Sequence, residues 1–155
     1  CSTLQNIHQK KIKGATFVST DEKTAITQSI VGFVDDNNNC VTKDEREPIV
    51  QTLQQSAQKW ERLLFSSGGS LELKKCFTYV IKWRQDEEGR HKISEENEQI
   101  VIIDSQTGTT KKISGKNPKE RHKTPGCIKN PSMDFKQQAI EIKKKADRIS
   151  QLTCT

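Results

Sequence analysis

The sequence predicts an α+β fold in which short antiparallel strands pack against amphipathic helices. Two stretches repeat apolar residues at helical spacing, and several short β-branched runs are separated by Gly, Asn and Asp. Hydrophobic residues make up 31% of the chain and charged residues 30%. Because small domains bury a low fraction of their surface, we expect a small core and long polar excursions.

The first part of the chain centres on the stretch "SIVGFVDDNNNCV", residues 29–41. Before it, residues 1–14 are typical of a helix end, and "GATFVSTDEKTA" is rich in turn formers and predicts a loop. The runs "ITQSIVGFV" and "NCVT" flank a cluster of Asp and Asn, which predicts an antiparallel hairpin over 28–42. Asp35 and Asp36 would lie at its tip.

A helix over 47–65 is the clearest predicted element. Pro48 suits its first turn, and Gly68 and Gly69 are placed to end it. Apolar side chains fall on one helical face, and these are Ile49, Leu53, Ala57, Trp60 and Leu64.

The downstream elements are predicted from alternation and turn residues. "LELKKCFTYVIKW" predicts one strand over 71–83, or two strands with a bend, and "RQDEEGRHKISEENE" predicts a charged loop. "QIVIIDSQTGTTKKI" predicts a hairpin over 99–113 that turns near Gly108, and "SGKNPKERHKTPGCIKNPS" an extended loop. A final amphipathic helix, capped by Ser132 or Asp134, carries one apolar stripe formed by Phe135, Ala139, Ile142, Ala146 and Ile149.

Charge is distributed unevenly along the chain. Residues 1–104 hold 14 Lys/Arg and 16 Asp/Glu, a net of −2, whereas residues 105–155 hold 12 and 4, a net of +8. A basic half indicates a polyanionic partner such as nucleic acid, and a solvated basic tail is the alternative. We therefore expect one part over 1–85 and a basic downstream segment over 86–155.

Cysteine and histidine usage gives little support to a zinc site. The five Cys include no CxxC pair, and scattered thiols are typical of a reducing, intracellular compartment. His8, His91 and His122 lie far apart without a nucleophile or acid at a telling spacing, so we expect them on the surface. Apolar runs such as "IVGFV" are too short to cross a membrane, and no membrane partner is expected.

The adjacent carboxylates allow three interpretations. Asp and Asn are good turn residues, so the pair could serve only the turn. An EF-hand calcium loop is disfavoured, because Cys40 stands where a loop beginning at Asp35 requires Gly. A magnesium site is the third interpretation, since Mg²⁺ relieves the repulsion between two acids and prefers carboxylate and phosphate oxygens.

The stretch "FVDD", residues 33–36, resembles the aromatic-x-Asp-Asp motif of reverse transcriptases, with Phe for the usual Tyr. "AQKWERLLFSSGGSLELKKC" is similar to the palm segment that follows this motif in reverse transcriptase-like proteins of Ty1/copia-type and related retroelements. "RHKTPGCIKNPSMDFKQQ" looks like their downstream tail, with Pro125 in place of Leu. The resemblance covers residues 28–84 and, more loosely, 119–150. The matching palm residues are Trp60, Leu63, Leu64, Gly68, Gly69, Leu71, Leu73, Lys75 and Cys76.

The resemblance implies a partial polymerase palm and a role for four residues. Asp35 would be a catalytic metal ligand for Mg²⁺ or Mn²⁺, and Asp36 its neighbour with a lesser metal role. Phe33 would pack beneath the hairpin near the primer end. Lys75 would lie near the incoming deoxynucleoside triphosphate and protonate the leaving pyrophosphate, as suits a cationic donor.

The same resemblance predicts a fragment of an RNA-directed DNA polymerase of a retrotransposon, with an RNA or DNA primer–template as partner and a cytoplasmic or nuclear location. In the family a third carboxylate lies upstream of the hairpin, and we expect the isolated chain to be inactive without it. The alternative is a basic nucleic-acid-binding module without catalysis. In either case Lys143, Lys144 and Lys145 are candidate nucleic-acid contacts.

Overall fold

The computed structural model describes residues 2–33, 36–42, 49–94, 97–120, 122–124, 127–129 and 135–153. Its mixture of helices and small, mostly antiparallel sheets confirms the α+β class. The elements are α1 (Ser2–Lys11), β1 (Ala15–Val18), β2 (Ala25–Gln28), β3 (Ile30–Phe33), β4 (Asp36–Asn39), α2 (Ile49–Ser66), β5 (Phe77–Thr78), β6 (Trp83–Gln85), β7 (His91–Ile93), β8 (Ile100–Ile103), β9 (Thr110–Gly115), β10 (His122–Thr124), β11 (Cys127–Lys129) and α3 (Lys136–Thr153).

The chain forms two compact units. The first comprises Cys1–Thr78 and Glu98–Gly115, and the second comprises Tyr79–Asn97 and Lys116–Thr155. The predicted division at residue 85 differs from this grouping, because the hairpin of β8 and β9 belongs to the first unit. The physical reason is burial, since Ile100 and Ile102 are each 1% exposed and pack in the core with α2.

Helix α2 supplies one side of the core of the first unit, as its periodicity predicts. Leu53, Ala57 and Trp60 are buried on its inner face. The predicted Gly-Gly stop is also confirmed. Gly68 has a positive φ of 83°, and the N–H of Gly69 donates to the carbonyl of Leu64 at 2.8 Å. Pro48 lies outside the described residues.

Polar side chains of α2 bond the outer edge of β8, the edge that does not face β9. The Gln54 Oε1 accepts from the N–H of Val101 at 3.1 Å. The Gln58 Oε1 accepts from the N–H of Ile103 at 2.6 Å, and its Nε2 donates to the carbonyl of the same residue at 2.8 Å. The amide of Gln58 thus replaces the peptide group of a neighbouring strand.

The stretch predicted as a loop after α1 is instead the hairpin of β1 and β2. Phe17 pairs with Ile26, and the hydroxyls of Thr16 and Thr27 lie 2.8 Å apart across the strands. The turn formers do form a turn, since Ser19 N–H donates to the carbonyl of Thr24 at 2.8 Å. The β-branched and aromatic residues on either side supply the cross-strand pairs that the loop prediction missed.

The predicted strand over 71–83 is interrupted. The N–H groups of Lys75 and Cys76 donate to the carbonyls of Glu72 and Leu73, so this segment bonds within itself as a turn. What remains is β5, which pairs in parallel with β9, and β6, which belongs to the second unit.

The second unit contains two short hairpins and α3. The predicted charged loop forms the hairpin of β6 and β7, because Asp86 accepts from Arg90 and Lys92 across a turn at Gly89. The predicted extended loop includes the paired strands β10 and β11. Helix α3 is present as predicted and contacts β11, whereas its candidate caps Ser132 and Asp134 lie outside the described residues.

Candidate metal and nucleic-acid site

The predicted Asp-Asp hairpin is formed by β3 and β4. Phe33 pairs directly with Asp36, and only Val34 and Asp35 stand between them in the sequence. Asp36 is exposed at the first position of β4. Asp35 lies outside the described residues, and the predicted packing of the Phe33 side chain stays a prediction.

The strands behind this turn are held by α1. Gln5 Nε2 donates to Asn37 Oδ1 at 2.8 Å, which ties the helix to β4 next to Asp36. Gly32 lies opposite Asn37, and a Cβ at Gly32 would collide with the amide ends of both Gln5 and Asn37. Glycine therefore allows the helix side chain to cross close to the hairpin.

A buried histidine joins three elements at the base of the hairpin. His8 of α1 is 0% exposed, and its Nδ1 lies 3.1 Å from the hydroxyl of Ser29, just before β3. Its Nε2 lies 3.1 Å from the carbonyl and 3.2 Å from the hydroxyl of Ser56 in α2. Its ring meets Trp60 edge-on, with the ring centroids 5.9 Å apart.

This position corrects the prediction that His8 lies on the surface. Ile12 and Ile30, which are also buried, share this part of the molecule, and spacing along the chain could not reveal that α1 turns a polar residue inward. Burial lowers the pKa of His8, and the neighbouring charge of Lys59 acts in the same direction, while the bond to Ser56 opposes it.

The His8 cluster is a structural support and not a nucleophilic site. Ser29 and Ser56 are each 0% exposed, so a substrate has no access to either hydroxyl. The neutral imidazole can donate to the carbonyl of Ser56 and accept from the hydroxyl of Ser29, which satisfies both ring nitrogens. What the cluster does is fix β3, and with it the hairpin, against α1 and α2.

Lys75 lies in the turn that follows α2, and its side chain is exposed. Within the described residues, no hydrogen bond or ion pair joins Lys75 to Asp36. Both candidate residues are therefore exposed on the first unit, and no polar interaction among the described residues pairs one with the other.

The described residues supply only part of the ligand set that a magnesium site needs. Asp36 is of the right chemical type, an exposed carboxylate at the start of β4. The described part of the chain contains no group of three His, Cys, Asp or Glu that could hold a metal ion. A complete site would need Asp35 and a further ligand in addition to Asp36.

The three consecutive lysines do not share one side of α3. An α-helix rotates by about 100° per residue, so Lys143 and Lys145 lie on either flank of the apolar stripe and Lys144 lies behind it. Lys144 Nζ is 3.8 Å from Glu141 Oε1 on that rear side. The prediction that all three contact nucleic acid stays a prediction, but they cannot act as one patch.

One polar arrangement in the first unit was missed by the sequence interpretation. Glu61 of α2 is only 6% exposed, and its carboxylate accepts from the N–H of Ser105 at 2.8 Å and from its hydroxyl at 2.7 Å. Beside it lies a small cleft whose lining includes Leu71, Ile102 and Asp104. The donors of Ser105 satisfy Glu61, so this carboxylate anchors the hairpin turn.

Comparison with known proteins adds no relationship. We find no match of this chain to a family model, to a curated protein or to a solved structure. Among the described residues, no helix combines the length and the apolar character that crossing a membrane would require.

Proposed function

We propose that this chain is part of the palm of an RNA-directed DNA polymerase of the reverse transcriptase type. The observation that carries the proposal is the β3–β4 hairpin, in which Phe33 pairs with Asp36 across a two-residue connection that contains Asp35. A short connection between paired strands would present Asp35 and Asp36 at the end of the hairpin, where a phosphate substrate could approach.

Two further features support the proposal. Gln5 and His8 fix the hairpin to α1 and α2, which gives the carboxylates the supporting shell that a positioned site needs. The order of hairpin, helix with Trp60, Gly-Gly stop and exposed Lys75 follows the order of the resembling palm segments.

In this proposal Asp35 and Asp36 hold Mg²⁺ together with a carboxylate from another segment of the parent protein. The metal would supply electrostatic stabilisation of the phosphoryl oxygens. Lys75 would donate a proton to the leaving pyrophosphate, and the buried hairpin base would hold the carboxylates in position while the substrates are exchanged.

The test is a Mn²⁺ titration of the chain followed by nuclear magnetic resonance. Paramagnetic broadening is expected first for amide signals of residues 32–38, and Asp35→Asn should abolish it. The matched control is Asp21→Asn, which removes an exposed carboxylate from the turn between β1 and β2. The metal assignment would be refuted if broadening began at Asp86 or Asp104 and was the same in the native chain and in Asp35→Asn.

A basic nucleic-acid-binding module is the second candidate, and the net charge of +8 over residues 105–155 favours it. Binding of a primer–template without added metal, with an affinity that falls steeply as salt rises, would support this alternative. If Asp35→Asn leaves such binding unchanged while Mn²⁺ shows no preferred position, the module replaces the polymerase fragment as the better assignment.

A further inference from the structure

The apolar stripe of α3 is exposed in the described part of the second unit. Phe135 is 54% exposed and Ile142 57%, and the small residues of the stripe, Ala139 and Ala146, are also exposed. Among the described side chains of this helix, only Gln138 and Glu141 are half-buried. The helix therefore rests on the unit through polar residues and leaves its apolar residues in water, which is the reverse of an ordinary surface helix.

The stripe has the width of a helix-packing seam. Helical rotation places Ala139, Ile142 and Ala146 within about 60° of one another, and the N–H of Ala139 bonds to the carbonyl of Phe135 at 3.0 Å, which continues the rotation. Large and small residues alternate along it. Small residues let another helix approach closely, and the large ones enter the spaces between its side chains.

The flanks of the stripe are basic. The nearest charged side chains are Lys143 on one side and Lys145 on the other, each about 80° from the centre of the stripe. The acids Glu141 and Asp147 lie behind them. A second copy of this helix would bring only lysines to the flanks, so it offers no complementary charge.

From this arrangement we propose that α3 docks one amphipathic helix of another protein, with small and apolar residues on its seam and Glu or Asp on its flanks. The acidic flanks pair with Lys143 and Lys145, and the seam covers Phe135 and Ile142. A seam that alternates Ala with large residues favours a helix over a lipid surface, since helices that lie in membranes present Trp, Phe and Leu along their apolar face. Nucleic acid is a weaker fit, because phosphate contacts would leave Ile142 uncovered.

The proposal is tested with two synthetic helices of about three heptads that share a Leu/Ala seam. One carries Glu on its flanks and the other Lys. Fluorescence anisotropy should show binding of the Glu-flanked peptide only, with an affinity that falls as salt is raised. The double variant Lys143→Glu/Lys145→Glu should weaken binding of the Glu-flanked peptide by about tenfold or more and allow the Lys-flanked peptide to bind instead.

Two single variants show whether peptide binding depends on the apolar seam or on other parts of the helix. Ile142→Gln should remove most of the binding without unfolding the chain, because the side chain is already exposed. Lys144→Glu, on the rear side, should leave it nearly unchanged. Equal binding of both peptides, or of neither, would overturn the proposal.

Three other results would also overturn it. One is binding of phosphatidylserine vesicles that depends on Ile142 while the Glu-flanked peptide does not bind. Another is binding of duplex RNA with the same dependence. The last is self-association of the chain in sedimentation equilibrium that Ile142→Gln abolishes, since a second copy would then occupy the stripe.

Discussion

Helices α2 and α3 have the same length of 18 residues and similar amphipathic patterns, but they stand in opposite environments. Leu53 and Trp60 of α2 are 8% and 3% exposed, whereas Ile142 and Ile149 of α3 are 57% and 62% exposed. The comparison teaches that a period of 3.6 residues predicts a helix and its apolar face. What covers that face depends on residues far away in the sequence, such as Ile100 and Ile102.

The largest expected effect lies at Trp60. Trp60→Ala removes a buried indole and its contact with His8, and we expect a loss of about 3–5 kcal/mol in the free energy of unfolding of the first unit. Urea unfolding followed by circular dichroism measures it. The matched control is Trp83→Ala, because Trp83 is 59% exposed and its loss should cost far less. Equal costs would contradict the contrast between buried and exposed sites.

The next largest effect on stability is expected for the glutamine side chains of α2 that bond β8. Gln58→Ala removes both hydrogen bonds to Ile103, and we expect a cost of about 1–2 kcal/mol. Lys143→Ala changes an exposed residue of α3 and is the control, with an expected change within about 0.5 kcal/mol. Hydrogen exchange of the amide of Ile103 would locate the effect. If the protection of this amide is unchanged in Gln58→Ala, the hydrogen bonds of Gln58 do not stabilise β8.

The buried His8 should make the stability of the first unit depend on pH. The folded state lowers the pKa of His8 below its ordinary value of 6.5. The unfolded chain therefore takes up a proton that the folded chain resists, and the stabilising contribution is complete above pH 6.5 and is lost as the pH falls toward the lowered pKa. Urea midpoints between pH 7.5 and 5 should fall less steeply in His8→Gln than in the native chain.

The control for this prediction is His91→Gln, which changes an exposed histidine in β7. Its pH profile should follow that of the native chain. If His8→Gln and the native chain have the same slope across this range, His8 is not the group that links folding of the first unit to pH.

The smallest effect is expected on the stripe of α3. Ile142→Ala should change the free energy of unfolding by about 0.5 kcal/mol or less, because little area is returned to water and Ala is the better helix former. Thermal unfolding followed by circular dichroism would measure it. A cost similar to that at Trp60 would show that the stripe is covered in the isolated chain.

The sequence predicted the elements better than their packing. Local signals sufficed for α2, for the Gly-Gly stop and for the turn at Gly108, because helical periodicity and positive φ are local properties. The hairpin of β1 and β2 was missed because the stretch is rich in turn formers and its strands are only four residues long. Of the two alternatives for 71–83, the single strand was wrong, because alternation cannot show that the N–H of Lys75 will bond to Glu72; two short strands, β5 and β6, form instead.

For the candidate site, the sequence likewise predicted the local element but not the contacts around it. The hairpin that carries Asp36 follows from β-branched runs around a turn, and the structure agrees. The roles of Asp35, Phe33 and Lys75 came only from the resemblance and stay predictions. His8 was beyond sequence reasoning, since its partners Ser29 and Ser56 are 21 and 48 residues away and no spacing rule joins them.

The hydrogen bonds from α2 to β8 have a consequence beyond the stability of the fold. A strand rich in isoleucine with an open edge is a template for pairing with other chains and for aggregation. Gln54 and Gln58 occupy the N–H groups of Val101 and Ile103 and the carbonyl of Ile103, which an incoming strand would need. The helix thus keeps "IVII" from recruiting further strands, so replacing these two glutamines should shorten the time that concentrated solutions stay clear.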